Sequence, residues 1–294
     1  MKIKLFYSFF FLVLGLSTGD SQNIKHRFIA KGESRSQLHY IDEFNSTHNW
    51  TIDIGFQSRD IQLISNNRIL ISCKDGFIEF DLTTRKKVYE IHREEFLNTE
   101  TVLRLDNGNT LLGFNNKQNN INIVEITREG VIIKKVDFPN LKNMRLLRLS
   151  PEGHFLFGAN LDRLIETDWN GRIYTNIKIP DAKFVYWIKK ISDDRYRLTT
   201  GYGASLIEVN SKGIEVNSKG VILKKIGGKS NYNFFSRPFE MPNGNIVVSN
   251  WTGHDWNDGE KGPQLIEFDK KGNIIWEWHR SDIAGSIHGV IVLE

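Results

Sequence analysis

The sequence predicts an all-β chain folded as a six-bladed β-propeller of four-stranded antiparallel blades, closed by the C-terminal strand joining the first blade. Three observations carry that prediction. A short unit recurs: "LRLDNGNTLLGF" (103–114) is echoed by "LRLSPEGHFLFG" (147–158) and "FEMPNGNIVVSN" (239–250), and more weakly by "QLISNNRILISC" (62–73) and "KKISDDRYRLTT" (189–200). Each is a strand, a tight Asn/Gly/Asp turn and a second β-rich strand, which makes a hairpin. A second hairpin follows downstream, as in "FIEFDLTTRKKVYEI", "NIVEITREGVIIKKV", "LIETDWNGRIYTNI" and "LIEFDKKGNIIWEW". Together they give four strands, A to D, at a period of roughly 40–50 residues, the spacing of propeller blades. Finally, β-branched residues and frequent turn signals dominate, which disfavours helical repeats of similar length.

In chain order, the first segment is "MKIKLFYSFFFLVLGLSTGDSQ". Lys2 and Lys4 precede an apolar run from Leu5 to Leu16, and the small residues Ser17 and Gly19 follow at a cleavage-like spacing. This reads as a secretory signal over 1–19, its apolar run being too short for a membrane span, with 20–294 as a single propeller domain. A secreted or periplasmic location is expected, with no membrane span in the mature chain. Next, "RFIAKGES", "LHYIDEF" and "NWTIDI" supply strands B, C and D with no strand A before them. Complete units then start near residues 60, 101, 146, 187 and 237. The final "HGVIVLE" matches a strand A, and the sequence stops where a turn and strand B would come. The two ends therefore make the sixth blade, a closure that removes exposed sheet edges.

One stretch breaks the period. In "SLIEVNSKGIEVNSKGVILKKI" (205–226), Ile214 to Gly220 repeats Ile207 to Gly213 letter for letter. The repeat is seven residues long, an odd number, so an insertion inside a strand would turn every later side chain to the wrong face. Register survives if 205–209 is strand C, 221–226 is strand D, and the extra copy loops out between them. Loop lengthening costs only roughly 0.6 kcal/mol per doubling. The duplication is expected to be tolerated rather than functional.

Without Lys2 and Lys4, 37 basic side chains face 35 acidic ones, a net charge of +2. With no Lys/Arg run, nucleic acid is excluded as a partner class. Cys73 is the only cysteine, so no intrachain disulfide forms and stability must come from a packed core. It continues the alternation of Ile69 and Ile71 and reads as a buried, inert thiol. A monomer is expected.

In a propeller the first residues of the strands A, with the D-to-A and B-to-C loops, line one mouth of a central channel, and ligands prefer such concave mouths. Aligning the repeats on their turns sets Arg59, Glu100, Arg145, Tyr186, Ser236 and His288 at equivalent positions there, with Arg237 beside Ser236. Arginine forks suit carboxylate, sulfate or phosphate groups. His288 and Tyr186 are suited to moving protons. The plainer alternative is that Glu100 pairs with its arginine neighbours as a solvated plug.

The long B-to-C connection "SNWTGHDWNDGEKGP" (249–263) should overhang the same mouth, carrying Trp251, His254, Asp255, Trp256, Asp258 and Glu260. Its tryptophans can stack on sugars or aromatic ligands, or simply pack the loop onto the adjacent blade. The candidate catalytic residues are thus His288 and His254. The candidate ligand-binding residues are Arg59, Glu100, Arg145, Tyr186, Arg237, Trp251, Asp255 and Trp256. No metal site is assigned: "DWNDGE" misses the calcium-loop spacing, and two histidines from separate blades have no fixed zinc spacing. G-x-S-x-G, H-E-x-x-H, P-loop and C-x-x-C motifs are absent from the sequence. His26, His39, His48, His92 and His154 form no visible cluster and read as structural or exposed. Trp276 and Trp278 alternate along one strand, so one face should pack between blades.

The repeats "NGNTLLG", "NGNIVVSN" and "LIEFDKKGNIIWEW" resemble those of the exported bacterial quinoprotein-like, or PQQ-like, propellers, a group that includes the blades of arylsulfate sulfotransferases. The ending "SNWTGH…GPQLIEFDKKGNIIWEW…SIHGVIVLE" is similar to that of small secreted members. The resemblance spans the mature chain and implies a fold, not a reaction. Quinone-dependent dehydrogenases of that class have eight blades and longer chains, so their quinone is not implied here and the cofactor stays unknown. Arylsulfate sulfotransferases set a channel histidine among arginine and histidine partners. By analogy His288 or His254, with Arg59, Arg145 and Arg237, would fill comparable roles, although the catalytic motif does not align and the family's extra N-terminal domain has no counterpart. The expected function is an exported propeller that binds a small anionic or carbohydrate ligand at the channel mouth. The alternatives are an enzyme, sulfotransferase-like or polysaccharide-acting, using a channel histidine, and a scaffold that binds proteins on its blade rims.

Overall fold

The computed structural model of the chain describes residues 24–211, 219–229 and 231–293. The signal expected over 1–19 and most of the second copy of the duplication lie outside the described residues. Six four-stranded antiparallel sheets form a ring of blades. Blade 1 is made of Ile287–Leu293, Arg27–Gly32, Gln37–Asp42 and Trp50–Asp53, in the order A to D. The strands A of the other five blades are Ile61–Ser65, Thr99–Arg104, Arg148–Leu149, Ile188–Ser192 and Phe235–Glu240. Closure is as expected: the C-terminal strand pairs antiparallel with the first, matching Phe28 to Val292 and Ala30 to Val290.

Alternation along the strands explains why the core is divided. A blade twists and has two faces, both covered by neighbours, so strands B and C bury side chains on both sides while the outer strand D stays largely exposed. The result is six apolar wedges between adjacent blades rather than one central core. Phe28 and Ala30 of blade 1 pack on Trp276 and Trp278 of blade 6, while Ile29 and Leu38 face Ile69 and Ile71 of blade 2. The A-to-B turns close at Gly108, Gly153 and Gly244, where φ is +85°, +80° and +84°; those left-handed values explain the recurring Gly in "NGN" and "EGH".

From blade 2 onward a glutamate recurs at one position of strand C: Glu79, Glu125, Glu166, Glu208 and Glu267. Glu79 meets Arg104 of the next blade at 2.6 Å, and Glu166 meets Lys190 and Tyr196 of blade 5. Four of the five are buried, and none of those four stands alone. That is what a buried carboxylate requires.

The strands that flank the duplication fall where they are expected. Strands C and D of blade 5 run over Ser205–Asn210 and Val221–Gly227, and Asn210 pairs with Val221 across the break. At the described end of the connection Lys219 bridges to Lys178 of blade 4, and the Gly220 N–H donates to the Lys178 carbonyl at 2.9 Å. Among the described residues no helix is long and apolar enough to cross a membrane.

Candidate ligand-binding basin

At the mouth the blades end in a second kind of core. Leu146, Tyr186, Trp187, Phe234 and Trp251 form a buried cluster with Phe184 packed against it. This cluster walls a cavity of about 160 Å³ that is also lined by Glu33, Arg59, Arg145, Tyr202, His254 and His288. A cavity of roughly 150 Å³ is enough to hold a benzene ring.

Most of the expected residues meet here. Glu100 lies between two guanidiniums, 3.0 Å from Arg59 Nε and 3.5 Å from Arg145 Nη1, and Asn115 donates to its other oxygen. The pairing that the plainer alternative required is therefore present. It leaves capacity on both arginines, since Arg59 is two-fifths exposed and Arg145 faces the ring of Phe184 at 4.6 Å. The negative charge of Glu100 holds the Arg59 guanidinium more firmly protonated than usual, burial opposing it.

His288 is buried at the centre. Its Nδ1 is 2.9 Å from the Tyr186 hydroxyl, and its Nε2 faces Glu33 Oε2 at 3.5 Å. His254, on the overhanging loop, faces the other oxygen of Glu33 at 3.3 Å. One carboxylate thus stands between both candidate catalytic histidines. Burial pushes His288 down to about 3; Lys31 and Arg59 act in the same direction and Glu33 against it. The imidazole is therefore neutral at physiological pH. Burial also pushes the Tyr186 hydroxyl up, leaving it a neutral donor. Glu33 is pulled the other way: burial favours its neutral form, but the facing His288 first, and then Lys31 and Arg59, hold it below the usual carboxylate range. Lys31 is almost wholly buried beneath the mouth, and burial lowers it to about 8.

Several buried polar atoms here have no hydrogen-bond partner: Lys31 Nζ, Glu33 Oε2, Trp251 Nε1 and Thr252 Oγ1. Such atoms cost free energy unless something binds them. Lys31, Arg59 and Arg145 against Glu33 and Glu100 leave the basin net positive.

Three expected site residues lie elsewhere. Arg237 points down the channel, where it donates to the Ile61 carbonyl beside a plug in which Arg148 grips Asp60 at 2.8 and 2.9 Å. Burial and the charge of Arg148 lower Arg237 to about 10. The strand pairing shifts register between Phe235 and Pro238, so aligning the repeats on their turns does not carry Arg237 to the mouth. Asp255 is exposed and caps the 3₁₀ helix Trp256–Lys261 in a reciprocal pair with Asp258. Trp256 packs flat against the guanidinium of Arg35 at 3.7 Å, tying the long loop to blade 1. It is a loop clamp, not a wall of the cavity.

Glu33, Phe184, Tyr202 and Phe234 were not anticipated. Glu33 begins the B-to-C turn of blade 1 in "AKGES", a position that an alignment of strand-A starts passes over. The aromatics come from "FVYW", "GYG" and "NFFS", all in mouth loops. Two histidines also fall into clusters where none was visible. His92 lies with Cys73 and Asp75, and His154 with Glu152 and Glu166. Cys73 is buried as expected, and burial pushes its thiol up to about 12.

No family model matches the chain, and no curated protein matches it. Solved structures do. A protein of unknown function from Bacteroides caccae matches with a TM-score of 0.73 at 16% identity, over 92% of this chain and 100% of that one. A catalytically inactive histidine-to-alanine variant of virginiamycin B lyase from Staphylococcus aureus, with quinupristin, matches with a TM-score of 0.54 at 13% identity, over 86% and 84%. Regucalcin, a calcium-binding protein from Agrobacterium tumefaciens strain C58, matches with a TM-score of 0.55 at 14% identity, over 76% of each chain. At these identities the likeness is one of fold: the chain is a six-bladed β-propeller.

Proposed function

We propose that the protein binds a small anionic ligand carrying a sugar or aromatic ring in the basin at the channel mouth. The observation that carries this reading is the pairing of two guanidiniums, Arg59 and Arg145, with an aromatic wall around a cavity of ring size. Arg59 and Arg145 would hold the anion. Trp251 would supply ring contact and an unpaired indole N–H. Export to the periplasm or beyond, as a monomer, belongs to the same proposal and rests on the N-terminal sequence pattern. Kinship with the quinoprotein-like propellers is likewise proposed, on the repeat sequences alone.

A second reading, an enzyme, is favoured by one arrangement. His288 is neutral, with a hydroxyl at one nitrogen and a carboxylate facing the other, which suits proton transfer. Among propellers of similar fold, a histidine-to-alanine variant of virginiamycin B lyase is catalytically inactive.

A thermal-shift screen of sulfated and uronic sugars, aryl sulfates and aryl carboxylates tests the first reading. A ligand at a hundred times its dissociation constant stabilises the fold by about 2.7 kcal/mol. The shift should vanish in Arg145→Ala and shrink in Trp251→Phe. A flat panel rejects the basin as a ligand site. For any ligand found, His288→Gln that stops turnover while sparing affinity would establish the enzyme.

A further inference from the structure

On the mouth face but outside the basin lining, blade 2 brings three unlike donor atoms together at its B-to-C turn and the end of its outer strand. Cys73 ends strand B (Arg68–Cys73), Asp75 sits in the turn, Gly76 opens strand C, and His92 ends strand D (Lys86–His92). Ladder pairs fix the arrangement: Cys73 opposes Gly76, and Gly76 opposes His92. Gly76 lets the strands close up, since a Cβ there would lie 2.0 Å from the Ile91 carbonyl oxygen. The Cys73 Sγ is 3.6 Å from His92 Nδ1 and 3.7 Å from Asp75 Oδ1, and those two are 2.7 Å apart.

We infer that Cys73, Asp75 and His92 form a binding site for a zinc-class divalent metal ion. Four ligands at zinc bond lengths of about 2.0–2.3 Å stand about 3.3–3.7 Å from one another. Both sulfur separations already meet that range. The Asp75–His92 pair must open by about half an ångström, and both side chains are exposed enough to move. The donor set is also the right one: thiolate, imidazole and carboxylate suit zinc, whereas calcium and magnesium want oxygen alone. Thiolate and carboxylate together neutralise a dication. Water would take the fourth position.

A separate contact points the same way. Glu90 Oε2 is 3.1 Å from the far nitrogen of His92. A carboxylate behind a histidine holds the proton on that nitrogen and frees the other lone pair for a metal. On binding, the thiol proton leaves to solvent, and the imidazole carries its one proton on Nε2, toward Glu90. The other cluster, Glu152, His154 and Glu166, lacks this freedom, because Glu166 already takes Lys190, Tyr196 and His154.

Cobalt titration of the reduced full-length chain tests the site. A thiolate–cobalt charge-transfer band can arise only at Cys73, the one cysteine in the sequence. The band should saturate at one equivalent and disappear when zinc is added. His92→Gln and Asp75→Asn, at half-exposed or exposed positions that leave folding intact, should each weaken cobalt at least tenfold, and Cys73→Ser should abolish the band. No band at saturating cobalt overturns the site. So does a band whose midpoint the His92 and Asp75 variants leave unchanged, which would mark a lone thiol.

Discussion

His26 Nε2 lies 2.7 Å from Glu267 Oε2, across the seam where blade 1 meets blade 6. The strand exchange between Arg27–Gly32 and Ile287–Leu293 closes the ring through backbone pairing, and this side-chain contact closes it a second time. The imidazole also sets its edge on Trp276, 4.7 Å between ring centres. Glu267 is 1% exposed, so its carboxylate depends on protein partners.

His26→Ala removes one of those partners and leaves Glu267 with Asn245 on its other oxygen. An unsatisfied buried acceptor costs about 1–3 kcal/mol, more when charged. We expect a loss of that size in urea unfolding, with the fold retained because the backbone seam is intact. An unchanged midpoint would mean that water replaces the imidazole and the contact does not hold the seam.

The ring was legible because it follows from repetition. Turn residues such as Asn107–Gly108 and Asn243–Gly244 mark the hairpins, and three strands at one end with one at the other leave few ways to close. The pairing of Glu267 with His26 was not legible, because closure joins residues 241 positions apart. The basin was half legible. A common position at the start of strand A retrieved Arg59, Glu100, Arg145, Tyr186 and His288: Glu100 and His288 lie within the strand, and the other three lie two or three residues before it, where each blade repeats the same entry to the mouth. The longer loops have no such rule. Asp255 and Trp256 look like site residues in "GHDWND", yet a 3₁₀ turn directs one to its own backbone and the other onto Arg35. Glu33, which binds no repeat position of strand A, stayed hidden for the same reason.

Acid should weaken the fold before most carboxylates titrate. Burial pushes His39 down to about 4 and His288 down to about 3, against about 6.5 in an unfolded chain. Below pH 6.5 the unfolded state takes up these protons and the folded state does not. Stability is therefore complete above pH 6.5 and is lost as the pH falls toward the folded values, by up to about 1.4 kcal/mol per pH unit for each histidine. Denaturant unfolding at pH 7.5, 6 and 5 measures the slope, and His39→Gln and His288→Gln should each reduce it. A wild-type midpoint that is flat across this range would contradict both buried, neutral assignments.

Deleting one copy of the duplication should cost almost nothing. Removing either Ile207–Gly213 or Ile214–Gly220 produces the same sequence and keeps a Ser-Lys-Gly link between strands C and D of blade 5. It also keeps the Lys-Gly pair that meets Lys178. Shortening the connection by fewer than two doublings is worth about 1 kcal/mol in closure entropy, in favour of the deletion. We expect a melting point equal to or slightly above wild type and unchanged ligand affinity. A loss beyond about 2 kcal/mol would show that the second copy makes contacts the fold needs.

The last expectation separates an anion site from a sugar site within the proposed basin. Glu100 lies between Arg59 and Arg145 and competes with any ligand anion for them. Glu100→Gln keeps an oxygen for Asn115 but removes the charge, leaving two guanidiniums and Lys31 against Glu33. Without ligand the variant should melt lower, because like charges then face each other in a partly buried site. With a sulfated or carboxylated ligand it should bind more tightly, by about tenfold at low salt, and the gain should shrink as salt screens it. Calorimetry on wild type and variant at two ionic strengths reads both effects. Tighter, salt-sensitive binding supports arginine-held anions. Weaker binding would mean that Glu100 itself takes the ligand, as it would a sugar hydroxyl, and would move the reading from anion to carbohydrate.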